Sequence, residues 1–125
     1  MLQIGSLKLK NRLVLAPMAG ITNLPFRLIL KEMGAALVVT EMVSAEGLAR
    51  KQKNTLNYLG SHPDEKPLAV QLFGSDPDTM SGAVKFVVEA GADVVDINLG
   101  CPVKKVVKTG AGAALLKTPH QVKRI

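Results

Sequence analysis

The feature that most limits what this chain can fold into is a fourfold alternation of short apolar runs with helix-like segments. Residues 13–16 (Leu-Val-Leu-Ala), 36–40 (Ala-Leu-Val-Val-Thr), 68–72 (Leu-Ala-Val-Gln-Leu) and 94–97 (Val-Val-Asp-Ile) are short and rich in aliphatic side chains. Nearly continuous runs of this kind suit parallel strands covered on both faces, whereas a strand wet on one side alternates apolar and polar residues. Helix signals follow each run. Thr22 or Asn23 can cap a helix that Pro25 enters in its first turn, with Phe26, Ile29, Leu30 and Met33 at helical spacing and Gly34 as its stop. Residues 44–53 read as helical, and residues 54–67 as an irregular polar connection. Asp76 and Pro77 open a helix over 77–90 that Gly91 closes, and Pro119 opens a last one. Residues 4–10 precede all this as a short capping strand or hairpin arm. The order βαβαβαβα predicts parallel strands joined by right-handed crossovers, in either an α/β barrel or a doubly wound sheet.

Composition removes several classes of function. No apolar stretch approaches the roughly 20 residues of a membrane span, and no secretory signal opens the chain, so the expectation is a cytoplasmic protein without a membrane partner. His62 and His120 have no cysteine or carboxylate at ligand spacing, which predicts no metal site. A net charge of +6 favours an anionic partner such as nucleic acid. Aromatic residues make up only 3% and are scattered, which argues against a base-stacking platform, so any RNA contact is expected to be electrostatic and local. Lys104, Lys105 and Lys108 are either a solvated loop or a phosphate contact.

Chemistry concentrates between residues 92 and 116. The fourth run ends at Asn98, and Leu99-Gly100-Cys101-Pro102 forms a turn that sets the only cysteine at the carboxyl end of a strand, where α/β folds build their sites. The first run ends likewise in Pro17-Met18-Ala19-Gly20, residues small enough for a flat ligand to lie against backbone. Gly110-x-Gly112 lacks the third glycine of a dinucleotide fingerprint, so a nicotinamide Rossmann site is not expected.

Three segments narrow the choice: Ala16-Pro17-Met18-Ala19-Gly20-Ile21-Thr22, then Gln71-Leu72-Phe73-Gly74-Ser75, then Asp96-Ile97-Asn98-Leu99-Gly100-Cys101-Pro102 followed by Gly112-Ala113-Ala114-Leu115-Leu116. In this order and spacing, across essentially all 125 residues, the chain resembles the tRNA-dihydrouridine synthases, and their bacterial B-type branch most. The resemblance implies an FMN-binding (βα)8 TIM barrel followed by a helical tRNA-binding domain, with NADPH as reductant and uridine in tRNA as substrate. Residues 1–125 then correspond to the N-terminal half of that barrel, four βα units, and the rest of the barrel and the helical domain are absent. Carried over by position, the FMN contacts fall on Pro17, Met18, Ala19, Gln71 and Asn98, and the catalytic acid on Cys101.

The residue types suit that chemistry. Hydride delivered to C6 of uracil leaves C5 in need of a proton, and a thiol, with an ordinary pKa of about 8.5, holds one at neutral pH. Two other readings stand beside this one. The first is another FMN-dependent pyrimidine oxidoreductase, of the dihydroorotate or dihydropyrimidine dehydrogenase kind. The second is a non-catalytic half-barrel module. Half a barrel is also expected to be inactive alone and to self-associate through its open edges.

Overall fold

The computed structural model describes residues 2–125. A two-stranded antiparallel hairpin, β1 (Gln3–Ile4) and β2 (Leu7–Lys8), leads into an α/β unit. That unit comprises α1 (Leu24–Glu32), β3 (Val38–Val39), β4 (Val43–Ser44), α2 (Ala45–Ala49), α3 (Lys53–Leu56), β5 (Leu68–Phe73), α4 (Pro77–Glu89), β6 (Val94–Ile97), α5 (Lys104–Val107) and α6 (Pro119–Arg124). β5 is central. It pairs in parallel with β3 and β4 on one side, through Val38–Leu68 and Val43–Leu72, and with β6 on the other, through Ala69–Val94 to Leu72–Ile97. The fold is thus α/β with a parallel sheet, as the alternation predicts.

The first apolar run departs from expectation. Rather than a buried strand over 13–16, it forms one parallel bridge, Val14 to Leu37, supported by Leu15 N–H to Leu37 O at 2.9 Å. Leu13 is 61% and Val14 46% exposed, because among the described residues the run has a strand neighbour on one side only. The second run is also interrupted. Thr40 separates β3 from β4, and its Oγ1 accepts the Gln71 N–H at 3.2 Å in place of a strand carbonyl. Such a break re-aims the side chains beyond it, here Glu41 and Met42.

Alternation sorts the sheet into two faces. Val38, Val43, Leu68, Val70 and Leu72 pack with Met80, Ala83 and Val87 of α4, while Leu37, Val39 and Ala69 pack with Leu9. Each fully buried aliphatic side chain contributes about 1.5–3 kcal/mol, so these two clusters dominate the stability. Leu9, just past the hairpin and almost wholly buried, covers the lower part of the face opposite the helices. The part of that face around Leu37, Val39 and Ala69 is therefore covered.

Helix boundaries follow local chemistry. Asn23, not Thr22, caps α1, its Oδ1 accepting Phe26 N–H, and Asp76 caps α4 through Thr79 N–H at 2.8 Å. Of the apolar positions at helical spacing, Ile29 and the C-cap residue Met33 are exposed. The helix anticipated over 44–53 stops at Ala49, Lys51 takes a positive φ of 51°, and α3 begins at Lys53.

The connection 54–67 holds a feature that composition concealed. Arg27 of α1, 2% exposed, donates through Nε to Glu65 Oε2 at 2.6 Å and through Nη2 to Oε1 at 3.2 Å, and Glu65 is fully buried. Nη1 reaches Thr22 O at 2.9 Å and Nη2 also reaches Gly60 O at 2.8 Å, while Glu65 Oε1 accepts His62 N–H at 3.0 Å. Losing one partner would leave a buried charge uncompensated, at about 3–5 kcal/mol.

Candidate active site

The carboxyl ends of β5 and β6 carry a continuous chain of side-chain hydrogen bonds. Gln71 follows Ala69 by two residues, and Asp96 and Asn98 follow Val94 by two and four, so all three lie on the face that Leu9 covers lower down. Gln71 and Asp96 are register partners. Gln71 Nε2 donates to Asp96 Oδ2 at 2.6 Å, and Asn98 Nδ2 donates to Gln71 Oε1 at 3.0 Å. The carboxylate can only accept, which fixes the orientation of both carboxamides in turn. Gln71 is 7% exposed and keeps one N–H and one acceptor lone pair uncommitted among the described residues.

Asn98 extends the chain to the cysteine. Its Oδ1 accepts the N–H groups of Gly100 at 3.2 Å and Cys101 at 2.9 Å, an Asx-type turn that ends the strand. The Cys101 carbonyl is held as well, by Ala113 N–H at 3.0 Å. This second contact needs the glycine turn: Gly112 has φ +59°, and a Cβ there would stand 2.6 Å from Cys101 O and 2.9 Å from Val106 Cγ1. Cys101 is a free thiol, half-buried, at the start of a segment whose Lys104, Lys105 and Lys108 are exposed. Residues Gly112–Lys117 form a 3-10 helix.

The loop after the first run is tied down independently. Thr22, fully buried, accepts the Met18 N–H at its Oγ1 (3.1 Å), donates its hydroxyl to Met18 O (3.3 Å) and gives its own N–H to the same carbonyl (3.0 Å). From the other side, Glu41 Oε1 accepts the Gly20 N–H. Pro17, Met18 and Ala19 therefore form a fixed loop at the same end of the parallel sheet as Gln71 and Asn98.

The structure joins Gln71, Asn98 and Cys101 in one network. Among the described residues no hydrogen bond links them directly to Pro17, Met18 or Ala19. Sequence reasoning missed Asp96 and Glu41 as parts of the site. Period-two alternation back from Asn98 would have found Asp96, since it shares that face. For Glu41 there was no comparable signal, because its direction depends on the strand break at Thr40. Among the described residues no group of three His, Cys, Asp or Glu side chains could hold a metal ion, and no helix is long and apolar enough to cross a membrane.

The fold is an α/β protein with a parallel sheet, and the two carboxamides, carboxylate and thiol gathered at its strand ends make the carboxyl edge the candidate site. The profile of the Dihydrouridine synthase (Dus) family matches residues 14–125, and the chain belongs to that family. It is similar to tRNA-dihydrouridine synthase B of Escherichia coli (strain K12), at 48% identity over 126 residues, which is 99% of this chain and 39% of that protein. The protein of the same name from Pasteurella multocida (strain Pm70) is 47% identical over 124 residues, 99% of this chain and 37% of the relative. The chain thus spans less than two fifths of the length of these curated relatives.

Proposed function

We propose that this chain is the first half of an FMN-binding (βα)8 TIM barrel, residues 1–125 supplying four βα units, in an enzyme that reduces uridine to dihydrouridine in tRNA with NADPH as reductant. The reading is of a cytoplasmic enzyme, as its substrate is. The observation that carries it is the hydrogen-bonded chain from Asp96 through Gln71 and Asn98 to Cys101.

The donor set fits a flavin ring. Gln71 offers an uncommitted N–H and lone pair to a heterocycle edge, and the loop of Pro17, Met18 and Ala19 is small and fixed by Thr22 and Glu41. Asn98 serves that edge less through its oxygen, which is committed to Gly100 and Cys101, than by orienting Gln71. FMN, when bound, supplies the hydride for C6 of the uracil. The Cys101 thiol then gives its proton to C5, and its main chain, held at both N–H and C=O, fixes the origin of that side chain. Lys104, Lys105 and Lys108 lie where they can meet tRNA phosphates beside the target base.

Deleting the gene and measuring dihydrouridine in bulk tRNA tests the reading. Loss of dihydrouridine, restored by the wild-type gene and not by its Cys101→Ala form, supports it. Unchanged tRNA overturns it in favour of an oxidoreductase acting on free pyrimidines.

A further inference from the structure

The buried Arg27–Glu65 pair takes no part in the chemistry above, yet its position relative to the Met18 loop is specific. The guanidinium lies in the first turn of α1, directly after that loop, and its Nη1 grips the Thr22 carbonyl at 2.9 Å. Thr22 in turn holds both main-chain groups of Met18. On the other side, Glu65 ends the 3-10 segment Pro63–Glu65, three residues before β5, the strand that carries Gln71. One ion pair therefore bridges the two segments that lead to separate parts of the site. The side chains that hold them are almost wholly buried, so the link is shielded from solvent.

We propose that Arg27 and Glu65 are positioning residues for the flavin-facing loop, acting through Thr22 to hold the Met18 backbone against the strand bearing Gln71. The inference rests on the flavin reading of the site. A purely architectural pair would need only to join α1 to the 54–67 connection. Here all three donating nitrogens of Arg27 are used, one of them on the loop itself, and the pair has no exposed edge through which it could exchange partners with water. A planar fork with fixed donor directions transmits orientation in a way that a flexible ammonium does not.

Three forms of the full-length protein test this: wild type, the double variant Arg27→Met with Glu65→Leu, and Thr22→Val. Replacing both members of a buried pair with apolar residues of similar volume often preserves the fold, whereas a single replacement strands a charge. Thr22→Val keeps shape and removes only the hydroxyl contacts to Met18. Amide hydrogen exchange at Met18 and Thr22 and FMN titration with the absorption spectrum of the bound flavin are the readouts, with thermal midpoint as control. The expected result is faster exchange at those amides and about tenfold weaker FMN binding with an altered spectrum in both variants, as loss of one or two hydrogen bonds would give. If the double variant fails to fold, Arg27→Lys, which keeps the buried charge and loses the planar fork, carries the comparison beside Thr22→Val. Wild-type exchange and affinity in a folded variant overturn the positioning role. A wild-type protein that binds no FMN at all, whatever its exchange pattern, overturns the flavin reading and with it the ligand assigned to this loop.

Discussion

The side-chain oxygen of Asn98 accepts the main-chain N–H of Cys101 at 2.9 Å, while its nitrogen donates to Gln71 at 3.0 Å. One carboxamide therefore ties the thiol-bearing turn to the neighbouring strand. Asn98→Ala should accordingly lower flavin retention and activity together, since it frees Gln71 and unseats Cys101 at once. Each buried partner left unpaired costs about 1–3 kcal/mol. Flavin content per mole of purified full-length protein, with single-turnover dihydrouridine formation, checks this; a normal flavin content would remove Asn98 from the site.

Cys101→Ala isolates the thiol from its surroundings. The main-chain contacts of residue 101 persist, so FMN binding and its reduction by NADPH should be close to wild type, while uridine reduction falls by about 10²–10⁴, as for loss of a general acid. Rapid-mixing measurements of the two half-reactions separate these effects, and wild-type rates in both would dismiss the proton-donor role.

Gly112→Ala should be more damaging than its distance from the sheet suggests. The new methyl would meet Cys101 O and Val106 at distances real Cβ atoms do not reach, and φ +59° is itself strained for alanine by about 1–2 kcal/mol. A lowered denaturation midpoint together with lost activity is expected, and a Gly112→Ala protein as stable as wild type would contradict the close packing.

At the start of α4, hydrogen bonds from the Thr79 N–H and hydroxyl hold the Asp76 carboxyl below its usual value. A folded-state pKa below the unfolded one means that this cap stabilises the fold above the ordinary carboxylate range near about 3.9, and that its contribution disappears as pH falls through the folded value. Asp76→Asn keeps a cap without the charge. The wild-type advantage in thermal midpoint over Asp76→Asn should thus narrow as the pH falls below about 4; a difference constant with pH would show that the carboxylate charge is irrelevant there.

The isolated 125-residue chain should sediment as a dimer or larger species, bind FMN weakly and lack synthase activity. Leu13 and Val14 are exposed along the first run, and β6 has a strand partner only at β5 among the described residues. A colourless monomer would refute the association, and a yellow active protein would refute the requirement for more of a barrel.

The sequence was most legible where local chemistry decides alone. Asp76 with Pro77, Gly91 with its φ of 101°, and the β-branched run Val94–Ile97 set the ends of α4 and β6 to within a residue. Alternation and turn chemistry, which act over short spans, placed Gln71, Asn98 and Cys101 at strand ends, whereas their grouping as one site came from the family resemblance. Arg27 was not legible. Its burial depends on a carboxylate 38 residues away, a pairing that helical periodicity cannot register. The first run was overcalled because apolar composition reports a side chain's preference and carries no information on whether a second strand is present to satisfy it.

Leu9 gives the site a floor. This side chain packs with Leu37, Val39 and Ala69, so the layer of the sheet face below Gln71 and Asp96 is filled. On this half of the sheet the room for a ligand therefore lies above that layer, beside Gln71, Asp96 and the loop of Met18.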